Sequence, residues 1–177
     1  MKAILETQRL LLREFDVADA SFFLELNASP EVLKYTGDKP FDSLEAAKIF
    51  LQNYSDYQLH VMGRWLCVHK ESLSPLGWCG LRFQTTTKEV DLGFRFLQKY
   101  WNMGFATEAA KACISYGFEK LQLNEIIGRA MFQNKASIVV LEKIGMNFIG
   151  NFEFELHPGA KYSIRKNDYL QQQANAE

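Results

Sequence analysis

The chain has 177 residues, 47% of them hydrophobic and 14% aromatic, enough for one domain with a sizeable core. Lys and Arg number 20 against 21 Asp and Glu, a net charge of −1 that argues against nucleic acid or anionic lipid as partners. No window approaches the roughly 20 apolar residues of a membrane span, and Glu6, Arg9, Arg13 and Glu14 interrupt the N-terminus before a secretory apolar run can form. Cys67, Cys79 and Cys113 are odd in number, lack C-x-x-C spacing and sit in apolar segments, as buried thiols of a cytoplasmic protein do.

In chain order, "RLLLREF" reads as a short strand, after which Asp16 and Asp19 can cap a helix carrying Val17, Ala20, Phe23, Leu24 and Leu26 inward. Pro30 opens a short turn or helical piece. In "FDSLEAAKIFLQNY", Asp42 and Glu45 stand in capping-box spacing and Leu44, Ala47, Phe50, Leu51 and Tyr54 share one face. "RWLCVHK", "LGWCGLRF" and "VDLGFRFL", joined by hairpin-length turns, predict an antiparallel meander. The period then changes to 3.6, with Phe105, Ala109, Cys113, Ile114, Gly117 and Phe118 on one helical stripe ending near Lys120. "NEIIGRAMF" follows as a strand. Asn134 can cap the helix "KASIVVLEKI", Gly145 can end it in a left-handed turn, and "NFIGNFEFEL" and "AKYSIRKNDYL" read as closing strands.

The predicted order is β-α-α-β-β-β-α-β-α-β-β: an α/β mixed, mostly antiparallel sheet with helices on both faces. Residues 1–170 are expected to form one domain, with Gln171–Glu177 a polar tail. The antiparallel and parallel parts should meet where "VDLGFRF" feeds into the turn Gly104-Phe105-Ala106 at a helix mouth. That turn admits two readings, an anion seat made of unpaired amides or a tight structural turn. Neither G-x-x-x-x-G-K-[ST] nor G-x-G-x-x-G is present, which argues against a nucleotide hydrolase or a dinucleotide enzyme.

Among candidate catalysts, Asp91 alternates away from Val90, Leu92 and Phe94, and Glu153 and Glu155 alternate likewise in "NFEFEL". Each is either a solvated strand charge or a carboxylate directed into a cleft. Ser137 lies one turn into the helix after Asn134, and Glu108 reads as a helix-start charge rather than a base. His60, His69 and His157 have no metal-ligand spacing, so no metal is expected, and no cysteine stands in a nucleophile's context. Tyr54, Tyr57, Trp65, Trp78 and Phe83 are read first as core, with some of them walling a pocket.

Taken together, "TQRLLLREF", "LGWCGL", "DLGFRFLQKYWNMGFATEA" and "NKASIVVLEKIGM" resemble the GNAT acetyltransferase superfamily, in its branch of RimJ- and RimL-type ribosomal-protein N-terminal acetyltransferases, from Thr7 to about Tyr169. The resemblance implies the GNAT acyl-CoA N-acyltransferase fold and acetyl-CoA as cosubstrate. It places the pyrophosphate on Trp101, Asn102, Met103, Gly104, Phe105, Ala106 and Thr107, and the pantetheine arm along the backbone near Phe96. Asn134 and Ser137 would then face the thioester, with Ser137 assisting the departing thiolate. Asn102-Met103 departs from a commoner Gly-Lys, and Leu141 stands where many such enzymes carry a tyrosine acid. The implied reaction is direct attack by a primary amine on acetyl-CoA. The acceptor would be a protein N-terminus or, alternatively, a small molecule such as an antibiotic or polyamine; a non-catalytic acyl-CoA sensor is the rival of another class. A monomer or homodimer is expected.

Overall fold

The computed structural model describes residues 3–154 and 157–175. An N-terminal hairpin, β1 (Leu5–Glu6) and β2 (Leu10–Arg13), leads into four short helices, α1 (Ala20–Leu26), α2 (Pro30–Leu33), α3 (Leu44–Gln52) and α4 (Asp56–His60). The meander follows as β3 (Arg64–His69), β4 (Pro75–Gln84) and β5 (Glu89–Phe96). Then come α5 (Phe105–Glu119), β6 (Glu125–Met131), α6 (Lys135–Lys143), β7 (Asn147–Phe154), β8 (His157–Arg165) and α7 (Lys166–Ala174).

All eight strands join one sheet in the order β1-β2-β3-β4-β5-β6-β8-β7. Every neighbouring pair is antiparallel except β5 with β6. The antiparallel meander is therefore as expected, with helices on both faces, and the sheet has one strand more than the seven predicted. Strand alternation sends Trp65, Cys67, Cys79, Leu81, Leu92 and Phe96 to the face covered by α5, whose Ala109, Cys113, Ile114 and Phe118 are buried against them. Leu66 and Val68 point the other way, under Phe22, Phe23 and Leu26 of α1 and Ala47 and Leu51 of α3. The three thiols are free and buried, and burial pushes Cys67 and Cys113 well above the usual thiol range.

Side-chain caps open three of the helical segments, at Asp16, Ser43 and Asn134. The Asp16 side chain accepts from Ala18 N–H while Asp19 accepts from Asp16 N–H, and Asp19 also takes a bidentate pair of bonds from Arg13. Asn134 Oδ1 accepts from Ser137 N–H at 3.1 Å, and Gly145 ends α6 with φ +86°.

Four expectations need correction. The cap of α3 is Ser43, whose hydroxyl accepts from Ala46 N–H, and not Asp42. Val17, Leu44 and Phe50 are exposed rather than inward, because their helices are short and only part of each rests on the sheet. The stretch "AKYSIRKNDYL" is strand only to Arg165. Beyond it the chain turns helical through Ala174, and Tyr169 packs on Phe118 with ring centroids 5.1 Å apart. The hairpin strand β1 and the helix α4 were not anticipated; both are too short to leave a periodic signal.

The feature that sets up a site is the parting of β5 from β6. β5 pairs with β4 over its whole length, from Glu89 to Phe96, but with β6 only at Asp91 with Ile127 and Leu92 with Gly128. From Gly93 to Phe96 its other edge faces a gap between the two halves of the sheet.

Candidate active site

On one side of that gap lies a groove of about 710 Å³. Its walls are the end of β5, the turn into α5, and α6. Gly104 caps α5 with φ +81°, and Asn102 is also left-handed, with φ +60°. A residue bearing a Cβ is strained at the first of these, so glycine is required there for backbone reasons. The first intrahelical bond of α5 runs from Glu108 N–H to Gly104 O, which leaves the amides of Phe105, Ala106 and Thr107 without a partner in the helix. All three residues line the groove, as do Asn102 and Gly104, and Lys135 and Lys143 of α6 face them. Unpaired amides, a helix N-terminus and two ammonium groups make this wall a fit for phosphates.

On the other side lies a larger cleft of about 1360 Å³ under α1 and α3. Its floor is a chain of alternating charges carried on four strands. Arg64 donates to Asp91 Oδ2 at 2.6 Å, Arg129 reaches Asp91 Oδ1 at 3.2 Å, Arg129 also pairs with Glu89, and Lys161 donates to Glu89 Oε1 at 2.5 Å. Glycines make room for it. Gly80 and Gly93 are register partners, and a Cβ on Gly93 would lie 2.6 Å from Arg64 Cζ. Arg64 and Arg95 both lie over the Trp78 ring, 5.5 and 5.3 Å from its centroid. Arg95 ties the end of α1 and the loop after α2 to the sheet by donating to Asn27 and Asp38. Among the described residues its buried Nε–H has no partner.

The two cavities share Tyr35, Thr36, Phe94, Arg95, Asn134 and Ser137, which therefore ring the passage between them. An extended molecule bound in the groove presents its end to a second molecule bound in the cleft.

A family model described as an acetyltransferase (GNAT) domain matches residues 9–147. The chain belongs to the GNAT acetyltransferase family. It is 31% identical to the uncharacterised N-acetyltransferase p20 of Bacillus licheniformis over 142 residues, which is 79% of this chain and 80% of that one. A GNAT-family acetyltransferase structure from Bacillus anthracis superposes with a TM-score of 0.80 at 25% identity, covering 92% of this chain and 98% of that one. The fold is also that of a Vibrio cholerae spermidine N-acetyltransferase solved with CoA and spermine, with TM-score 0.77, 18% identity and coverage of 91% and 98%. The sheet described above is thus the GNAT fold, and the protein is an acetyl-CoA-dependent N-acetyltransferase.

For a GNAT acetyltransferase the placement of the sequence-predicted residues is informative. Gly104, Phe105, Ala106, Thr107, Asn102, Trp101 and Phe96 gather along the groove, and Asn134 and Ser137 stand at the passage. Met103 does not line the groove; its side chain is 53% exposed. Trp101 lies against the strand end, its indole donating to Phe96 O at 2.8 Å, so the Phe96 carbonyl is already engaged. Leu141 is buried, packed where Gly128 leaves space for it. Asp91 lines the cleft with both oxygens held by guanidinium groups. Glu153 is exposed on the cleft wall, and Glu155 lies outside the described residues.

Tyr54 and Trp78 wall the cleft as anticipated, whereas Trp65 is core. Burial pushes the phenols of Tyr54 and Tyr57 far above the usual tyrosine value; Tyr54 accepts from Arg64 N–H and Tyr57 donates to Arg64 O, so both hold the start of β3. Burial alone would raise Glu89, but bonds from Lys161 and Thr87 and the charge of Arg129 hold it below the ordinary carboxylate range. Arg64, Arg95 and Arg129 were not singled out from sequence. Their one signal is that they alternate with glycines and apolar residues on strands, which marks a polar strand face without naming its partners.

Proposed function

We propose that acetyl-CoA lies with its pyrophosphate on the amides of the Gly104 turn, and that the acceptor in the neighbouring cleft is the α-amino group of a peptide or protein N-terminus. The observation that carries the acceptor reading is the charge of the cleft. Its lining holds six cationic side chains against five anionic ones, and Asp38, Glu89 and Asp91 are all engaged by Arg or Lys. A polyamine needs unpaired carboxylates to replace its hydration, and a cleft with this balance repels it. At about 1360 Å³ the cleft also exceeds the usual ~300–1,000 Å³ of small-molecule sites, which suits an extended chain. Phe23, Phe41 and Phe50 offer its side chains an aromatic wall.

The chemistry agrees with that choice. Attack requires the neutral amine; near pH 7.4 roughly a quarter of an α-amine is neutral, against about one lysine in a thousand. With Asp91 held between two guanidinium groups, the site favours the amine that asks least of a base. The N–C bond forms as the C–S bond breaks. The amine's proton leaves to water or, through water, to exposed Glu153, and Ser137 passes its hydroxyl proton to the departing sulfur and regains one from water. The buried free thiols suit the reducing cytoplasm, where such acceptors are made.

The test is thiol release from acetyl-CoA with three acceptors: a short peptide with a free N-terminus, the same peptide N-blocked but carrying lysine, and spermidine. Mass spectrometry locates the acetyl group. The free peptide should be preferred by at least about tenfold in kcat/KM. Preference for spermidine or for the blocked peptide would refute the acceptor reading while leaving the acetyl-CoA site standing.

A further inference from the structure

Behind the Gly104 turn, on the side away from the groove, the N-terminal hairpin grips the start of α5. Arg9 donates through Nη1 to Met103 O at 3.0 Å and through Nε to Glu108 Oε2 at 2.6 Å, and its guanidinium lies 4.2 Å from the centroid of the Phe105 ring. Glu108 Oε1 accepts from Arg9 N–H at 2.8 Å and from the Thr7 hydroxyl at 2.5 Å. Thr7 is itself fixed, since its Oγ1 accepts from Leu10 N–H at 2.9 Å. None of Thr7, Arg9 and Glu108 lines the groove, although Gly104 to Thr107 all do.

A trans peptide is planar, so the carbonyl of Met103 and the N–H of Gly104 point in opposite directions. Gly104 is left-handed, and glycine takes positive and negative φ about equally, so its own backbone does not fix which way that peptide faces. We propose that Arg9, braced by Glu108 and Thr7, is a positioning residue for acetyl-CoA: by holding the Met103 carbonyl at the back of the turn, it keeps the Gly104 N–H directed into the groove for the pyrophosphate. The proposal rests on the reading that the pyrophosphate sits at this turn. It also accounts for a turn that has Asn102-Met103 without a cation of its own: the cation is Arg9, supplied from 94 positions away, and it orders the backbone instead of meeting the ligand.

The experiment is titration of CoA into wild type, Arg9→Met and Arg9→Lys by calorimetry. Thermal melts check folding, and ¹H–¹⁵N spectra follow the Gly104 amide. Wild type should bind CoA with a downfield shift of the Gly104 proton. Both variants should bind about tenfold more weakly, because lysine cannot reproduce the two-directional fork of Arg9, and their Gly104 proton should no longer shift. Wild-type affinity in a folded Arg9→Met, or full rescue by Arg9→Lys, would overturn the proposal; rescue by lysine would mean that charge alone matters. A Gly104 proton that still shifts in either folded variant would overturn it too. Absence of CoA binding by wild type would instead overturn the placement of CoA at this turn, and the proposal with it. Should Arg9→Met fail to fold, Arg9→Lys and the wild-type amide shift still decide.

Discussion

Along the groove, the groups offered to a ligand are amides of consecutive residues in a turn with two left-handed positions, Asn102 and Gly104. Across the passage, the cleft floor is a lattice of side chains whose partners stand 27, 38 and 72 positions apart in the chain. The difference decides what each wall tolerates. A seat made of backbone yields when φ, the facing of a peptide or access changes, whichever side chains the turn itself carries. A lattice of paired charges weakens when a member is lost, since each removal strips a partner from a largely buried charge.

The largest effect should come from breaking the backbone seat. Gly104→Glu forces a side chain into φ +81°, with its Cβ 3.4 Å from Arg9 Nη2, and sets a carboxylate beside the proposed pyrophosphate seat. Strain of about 1–2 kcal/mol and like-charge repulsion of several more should together weaken CoA binding by about a thousandfold, roughly 4 kcal/mol. Calorimetry on the folded variant checks it, and retained affinity would show that the turn is merely structural.

Next comes the lattice. Arg64→Met removes the guanidinium from Asp91 and from the backbone oxygens of Gly80 and Asp91, at a place where both ionic side chains are 13% exposed. Arg129 remains on Asp91, so the loss should fall at the lower end for a broken buried pair, about 3 kcal/mol, and lower the Tm by roughly 6–12 °C. CoA affinity should hardly change. If instead stability held and CoA binding fell, the division between the two walls would be wrong.

That division also explains what was legible in the sequence. The Gly104 turn lies within one stretch where a strand period gives way to a helical one, so its place could be read locally. So could Asn134 and Gly145, because caps and left-handed ends are chemistry of neighbouring residues. Asp91 could be assigned to the polar face of β5 but not to Arg64 and Arg129, because alternation gives a face and not a partner. Arg9 was visible only as a charge in the first strand. Its bond to Met103 O exists because the sheet carries the hairpin beside the start of α5, and no local pattern announces a contact across 94 positions. The end of β8 departs from its sequence pattern for a related reason: Tyr169 and Leu170 are apolar enough to extend a strand, whereas the chain is helical there and Tyr169 packs on Phe118.

Where the two walls meet, Ser137→Ala sharpens the comparison. Its N–H already caps onto Asn134, so removing the hydroxyl should leave α6 intact. A thiolate leaves readily, which puts the expected loss in kcat at about tenfold, the modest end of acid catalysis, with the Kd for CoA unchanged. An unchanged kcat would remove Ser137 from the chemistry and leave the proton transfers to water.

The smallest effect belongs to the brace behind the turn and shows in pH dependence. Burial raises the Glu108 carboxyl, but the bonds from Thr7 and Arg9 outweigh that and hold it below its ordinary value. A carboxyl lowered in the folded state contributes stability that is fully present above its unfolded pKa of about 4.3 and is lost as pH falls through the folded value. Glu108→Gln has no such contribution to lose. The Tm gap between wild type and Glu108→Gln should therefore be constant from pH 6 to 8, roughly speaking, and close as the pH is lowered below about 4. A gap that persists undiminished in acid would mean that the glutamine is penalised for its shape, and that the charge of Glu108 does not hold Arg9 in place.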